Sequence, residues 1–107
     1  MDLLRAVPIL TVPDVAAVVE EYRDLLGVDV LMDLGWVATL GTSGVAQFSV
    51  MDADQSAPCN PDVSLEVPDV DAAYRLARES GAEIVHPLQD EAWGVRRFFL
   101  RTQPATW

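Results

Sequence analysis

The strongest constraint on this chain is that it repeats itself. Ile9-Leu-Thr-Val-Pro-Asp-Val15 returns as Ser64-Leu-Glu-Val-Pro-Asp-Val70, with Val-Pro-Asp-Val shared at an offset of 55 residues. Each copy runs into a helical pattern that ends at a glycine, Gly27 or Gly81, and then into a β-rich run. The same grammar at half the chain length marks a duplicated unit. Each unit reads as strand, helix, strands. Unit one spans about 1–55 and unit two about 56–107 of a single α+β domain at the usual domain size.

Local rules place the elements. Apolar runs at 7–12 and 63–67 stop at Pro13 and Pro68, as strands do. Asp14 and Asp69 stand where a helix N-cap belongs, with a side-chain oxygen for the free amides of the first turn. Val15, Val18, Val19, Tyr22, Leu25 and Leu26 then recur at helical spacing, and Val70, Ala73, Tyr74 and Ala77 repeat the stripe. Gly27 and Gly81 suit left-handed helix stops. Further strands are expected at 28–33, 36–40 and 45–51, then at 82–86 and 95–101. Residues 52–61, polar with two prolines, read as the linker. Unit two has no counterpart of the 45–51 strand.

Strand neighbours face opposite sides. Val63, Leu65 and Val67 are expected beneath the helices, with Asp62, Ser64 and Glu66 on the other face. Ala46, Phe48 and Val50 likewise belong to the helix side, and Gln47, Ser49 and Met51 to the opposite side. Val7, Ile9 and Thr11 share the face of Asp62, Ser64 and Glu66. That partly apolar, partly acidic face suits a concave ligand surface.

Composition narrows the partners. Seventeen acidic against seven basic residues leave a net charge of −10, which repels nucleic acid and anionic lipid. No apolar run is long enough to span a bilayer, and no basic-then-apolar leader opens the chain. The single Cys59 excludes an internal disulfide and suits a reducing compartment. A cytoplasmic protein with a neutral or cationic small-molecule partner is the expectation.

The motifs Pro-Ile-Leu-Thr-Val-Pro-Asp-Val, Glu-Tyr-Arg-Asp-Leu-Leu-Gly and Trp-Gly-Val-Arg-Arg-Phe-Phe-Leu-Arg, in this order and spacing, resemble the vicinal oxygen chelate superfamily. That group holds glyoxalases, bleomycin-resistance proteins and dioxygenases, and the resemblance covers residues 6–101. It implies two tandem βαβββ units forming a curved mixed sheet around a cleft, here with the last strand of the second unit missing. It also implies a homodimer, in some members with exchanged units. The metal enzymes of the family carry ligands early in the first strand of each unit and on the fourth. Those first-strand positions are Val7 and Asp62 here, and the fourth strand offers Gln47 and Ser49. A divalent site needs about three protein ligands, so no metal and no other cofactor is expected.

The resemblance therefore points to the metal-free binders. Val7, Ile9, Gln47, Ser49, Asp62, Ser64 and Glu66 would line the cleft. Trp36 and Trp93 would be stacking platforms, with core packing as the open alternative. The expected function is sequestration of a cationic or planar aromatic compound, without catalytic residues. The alternatives are a divalent-metal lyase or dioxygenase of the same superfamily, and a truncated dimeric remnant without a ligand. His86, before Pro87 and with no second histidine, reads as a satisfied structural residue rather than a base. Cys59 reads as an inert exposed thiol. Arg96, Arg97 and Arg101 read as a solvated strand face, with cleft lining or pairing with acids as the alternatives.

Family members continue past the Phe-Phe-Leu-Arg strand with Asp-Pro-x-Gly-(Asn/His)-Leu. The tail here is Thr102-Gln-Pro-Ala-Thr-Trp107, which is what codons for Asp-Pro-Ala-Gly-His-Leu can yield when read one base out of frame. A one-base deletion replacing the last strand is one expectation, and a naturally short member is the other.

Overall fold

The computed structural model describes residues 2–102. The chain divides into two compact units, Arg5–Leu65, and Glu66–Trp107 with Met1–Leu4. Among the described residues there are two helices and seven strands in two sheets, an α+β architecture.

In the first unit the order is β1 (Arg5–Thr11), α1 (Val15–Leu26), β2 (Asp29–Asp33), β3 (Val37–Thr42), β4 (Ala46–Met51) and, after the connecting segment, β5 (Val63–Glu66), whose last residue is counted with the second unit. Asp14 caps α1, its side chain accepting from the Ala17 amide at 3.1 Å. At the other end Gly27 takes φ 64°, which only glycine adopts without strain, and its N–H donates to the Arg23 carbonyl. The sheet order is β2-β3-β4-β1-β5. β4 lies between β3, to which it is antiparallel, and β1, to which it is parallel.

The core of this unit follows from two periodicities meeting. Val15 and Val19, four apart on α1, pack with Ala38, Leu40 and Val50 from alternate positions of β3 and β4. Tyr22 meets Phe48 edge-on at 4.9 Å between ring centroids. Phe48 and Val50 thus face α1 as alternation requires, while Ala46 is exposed.

The connecting segment 52–61 is tied down rather than loose. Asn60 Nδ2 donates to Thr11 Oγ1 and to the Asp52 carbonyl, and Asn60 Oδ1 accepts from the Asp54 amide. Asp54 Oδ1 in turn accepts from the amide and hydroxyl of Ser56.

β5 corrects one expectation. Val63 and Leu65 are 48% and 57% exposed, not packed beneath a helix. β5 is the edge strand of the five-stranded sheet, with the Ile9 amide donating to the Asp62 carbonyl just before it. Strand alternation had assigned Val63 and Leu65 a cover that an edge strand does not receive.

In the second unit α2 (Val70–Glu79) packs on β6 (Glu83–Asp90) and β7 (Arg96–Arg101), which form an antiparallel hairpin. Asp69 caps α2 as Asp14 caps α1, accepting from the Ala72 amide at 3.0 Å. Tyr74 meets Phe98 edge-on at 5.0 Å. No residue of α2 is buried, whereas α1 buries two. β7 pairs with β6 alone, and no counterpart of β4 occurs among the described residues. The expectation about the tail falls on 103–107, which lie outside the described residues.

Candidate functional site

Strand register places much of the expected ligand face. Ile9 pairs with Ser49 across β1 and β4, and Ser49 pairs with Thr39 across β4 and β3. The next positions, Leu10/Val50 and Ala38/Val50, alternate to the α1 side. Val7, Ile9, Gln47, Ser49 and Thr39 therefore share the face turned away from α1. The Thr39 and Ser49 hydroxyls are 2.9 Å apart and buried, each satisfying the other. Gln47 accepts from Arg5 Nη1 at 3.0 Å. Val7, Thr39 and Ser49 are buried, while Ile9 and Gln47 are half-buried. The partly accessible residues of this face are therefore Ile9 and Gln47, in successive rows of the sheet.

Asp62 is exposed, beside Ile9 through the backbone bond already described. Ser64 and Glu66 are exposed on β5. Trp36 is half-buried just before β3, its carbonyl accepting from the Asp52 amide. Thr39 and Arg5 were not singled out from the sequence. The pairing of two hydroxyl positions on neighbouring strands was the available signal for Thr39.

Trp93 does not offer a free stacking face. It lies in the β6–β7 turn, and the Arg97 guanidinium carbon sits 4.9 Å from its ring centroid and 4.7 Å from that of Phe99. Arg97 likewise departs from the solvated-face reading, since its side chain is only 18% exposed. Its Nε donates to Glu91 Oε1 at 3.1 Å. The same oxygen lies 3.1 Å from His86 Nε2 and 3.2 Å from Gln89 Nε2. His86 and Glu91 side chains are 3% and 4% exposed, and the imidazole stacks on Phe99 at 5.0 Å. His86 is thus the satisfied, buried histidine expected. It sits inside β6 rather than at a strand end, because β6 continues past Pro87 to Asp90.

At the surface of this unit Arg96 donates to Asp71 at 2.7 Å and to Asp90 at 3.2 Å. The hydrogen bond from Arg96 holds the Asp71 carboxyl below the usual carboxylate range, against an opposing effect of desolvation. The same bond, joined by the one Arg96 donates to Asp90, pushes Arg96 upward.

An open depression of about 700 Å³ is lined by Thr11, Pro13, Asp52, Asp54, Cys59 and Asn60, among others. None of the nine residues chosen from the sequence lines it. Cys59 is exposed there as a free thiol.

The residues present do not fit a divalent centre of the chelating kind. Val7 has no donor atom, and its face neighbours Gln47, Ser49 and Thr39 are neutral oxygens or amides. Among the described residues no three of His, Cys, Asp and Glu gather to hold an ion. No helix there is long and apolar enough to cross a membrane.

Comparison with known proteins agrees with this architecture. A chain described as the NAD-dependent benzaldehyde dehydrogenase of Legionella pneumophila superposes with a TM-score of 0.73 at 17% identity, over 90% of this chain and 88% of that one. A glyoxalase/bleomycin resistance protein/dioxygenase superfamily member from Vibrio splendidus 12B01 gives 0.69 at 22% identity, over 94% and 90%. At these identities the two show the fold. No curated protein matches the chain. The model of one family matches residues 4–105, nearly the whole length. The chain belongs to the Glyoxalase/Bleomycin resistance protein/Dioxygenase superfamily.

Proposed function

We propose that this protein binds a small organic molecule, without a metal ion, on the face of the first unit's sheet turned away from α1. The supporting observation is the register that sets Ile9, Ser49 and Thr39 side by side, with Gln47 two residues along β4 on the same face. They supply an apolar contact and neutral hydrogen-bonding groups, the chemistry of a binding surface rather than of a metal centre. Asp62 beside Ile9 and the net charge of −10 favour a cationic or neutral ligand over an anionic one. Trp36, half-buried just before β3, is the aromatic contact proposed for a planar group, and Arg97 lies over Trp93. A ligand that takes the Gln47 amide displaces Arg5 from it. The role is sequestration, in the manner of the bleomycin-resistance branch, and the site works without a catalytic residue.

Titration calorimetry with planar aromatic cations and cationic glycopeptides tests this reading. Saturable binding is expected, weakened about tenfold by Gln47→Ala through the lost hydrogen bond, with the unfolding midpoint unchanged. No heat at millimolar protein, with the fold intact, contradicts it. Stoichiometric Zn, Ni, Fe or Mn in the purified protein would replace it with a metal-dependent lyase or dioxygenase. The proposal includes a homodimer. The apolar, exposed Val63 and Leu65 on edge strand β5 support self-association, which sedimentation velocity measures.

A further inference from the structure

The direction of the Gln47 amide is fixed by its neighbour. Arg5 Nη1 lies 3.0 Å from Gln47 Oε1. A guanidinium has N–H donors and no acceptor, so the end of the amide that faces it must be the oxygen. Turned over, the amide would set N–H against N–H beside a positive charge. The bond is charge-assisted, and so stronger than one between neutral groups. Arg5, Val7 and Ile9 alternate along β1, which puts Arg5 on the same face as Gln47. Among the described residues no other hydrogen bond engages the half-buried Gln47 side chain. Its two N–H hydrogens are left for a partner.

We propose that Arg5 is the specificity-determining residue of the ligand face. By holding the Gln47 oxygen it leaves the amide NH2 as the group a ligand meets there. The face then takes a molecule that brings a hydrogen-bond acceptor, such as a carbonyl or ether oxygen, to Gln47. This rests on the binding face proposed above and names the class of ligand it takes. A donor group, such as an amine, has to take the amide oxygen and displace Arg5 from it. An acceptor leaves the Arg5–Gln47 bond in place.

The neighbouring groups leave this choice to Gln47. Thr39 and Ser49 hold two hydroxyl hydrogens, and the bond between them uses one. The other can rotate to suit either kind of partner, so the pair does not discriminate. The charge on Arg5 opposes a cationic group at its own end of the face. Asp62 lies across β1 from Gln47, because β1 stands between β4 and β5 and the Asp62 carbonyl accepts from Ile9. A positive charge on the ligand belongs on that side.

Titration calorimetry with two matched probes tests the proposal. One is an N-methylquinolinium bearing a dimethylcarboxamide, which only accepts; the other bears an amino group, which donates. The wild-type chain is expected to bind the carboxamide about tenfold more tightly, the effect of one hydrogen bond. Gln47→Glu keeps an oxygen for Arg5 and replaces the NH2 by a second oxygen, and is expected to reverse the order. Arg5→Met lets the amide turn over, and is expected to bring the two affinities together. Arg5→Lys, which still only donates, is expected to keep the preference. Arg5 is exposed, so its variants should fold, and the Gln47 NH2 signals of ¹⁵N-labelled wild type, shifted by the carboxamide probe, give a readout without any variant. Equal affinities in the wild type, or a preference unchanged in Arg5→Met, overturn this proposal and leave the binding face standing. Binding of neither probe by the folded protein removes the binding face, and this proposal with it.

Discussion

Asp14 and Asp69 perform one task at two places, each accepting the amide three residues on and starting its helix. Replacing Asp14 with Ala should lower stability by about 1 kcal/mol, read from the denaturant midpoint, and Asp69→Ala should do the same to α2. Asp71 carries a pH dependence. Its carboxyl is held low by Arg96, so the folded state binds that proton less readily than the unfolded chain. The pair's stabilisation is therefore full above the unfolded carboxylate's range and is lost as pH falls through the lowered folded value. Asp71→Asn should flatten this part of the acid unfolding curve, with the change confined to acid pH. At this scale the sequence is legible where a residue acts on its own neighbours, as a cap or a helix stop does. It is silent on Glu91, because its meeting with His86 and Arg97 depends on where the β6–β7 turn falls. Trp93 illustrates the same limit. Its ring looks available until the hairpin lays Arg97 across it.

At the scale of elements the duplication carried most of the fold. Both helices and the first-unit strands lie within a residue or two of where periodicity and turn residues put them. β6 differs, running to Asp90 through Pro87. Proline is tolerated because β6 is the outer partner in a two-stranded sheet, where a missing N–H costs little. β5 differs in another way, since alternation reports which side chains share a face but not whether anything covers that face. The contrast between the copies has a measurable consequence. Leu40 is fully buried in the first core, so Leu40→Ala should cost about 2–5 kcal/mol. Leu76 on α2 is 57% exposed, and its replacement by Ala should cost far less. Equal losses in a thermal or denaturant series would contradict the assignment of the main core to α1, β3 and β4.

For the whole molecule, a charge of −10 on 107 residues makes self-repulsion a global term. Neutral salt shortens the screening length from about 10 Å at 0.1 M to about 3 Å at 1 M, so the unfolding midpoint should rise with added sodium chloride. A fall would mean that surface ion pairs such as Arg101–Glu83 outweigh the repulsion. Membership of the superfamily sets the fold, and the residues of the sheet face then decide the chemistry. Four of the residues chosen from the sequence, Val7, Ile9, Gln47 and Ser49, come together on that face by register. The most direct measurement is amide chemical-shift mapping of the labelled protein during titration with planar aromatic cations. The account predicts saturable shifts centred on Ile9, Gln47 and Ser49. Shifts confined to the depression around Asp52, Asp54 and Cys59, or none in a folded protein, would contradict it.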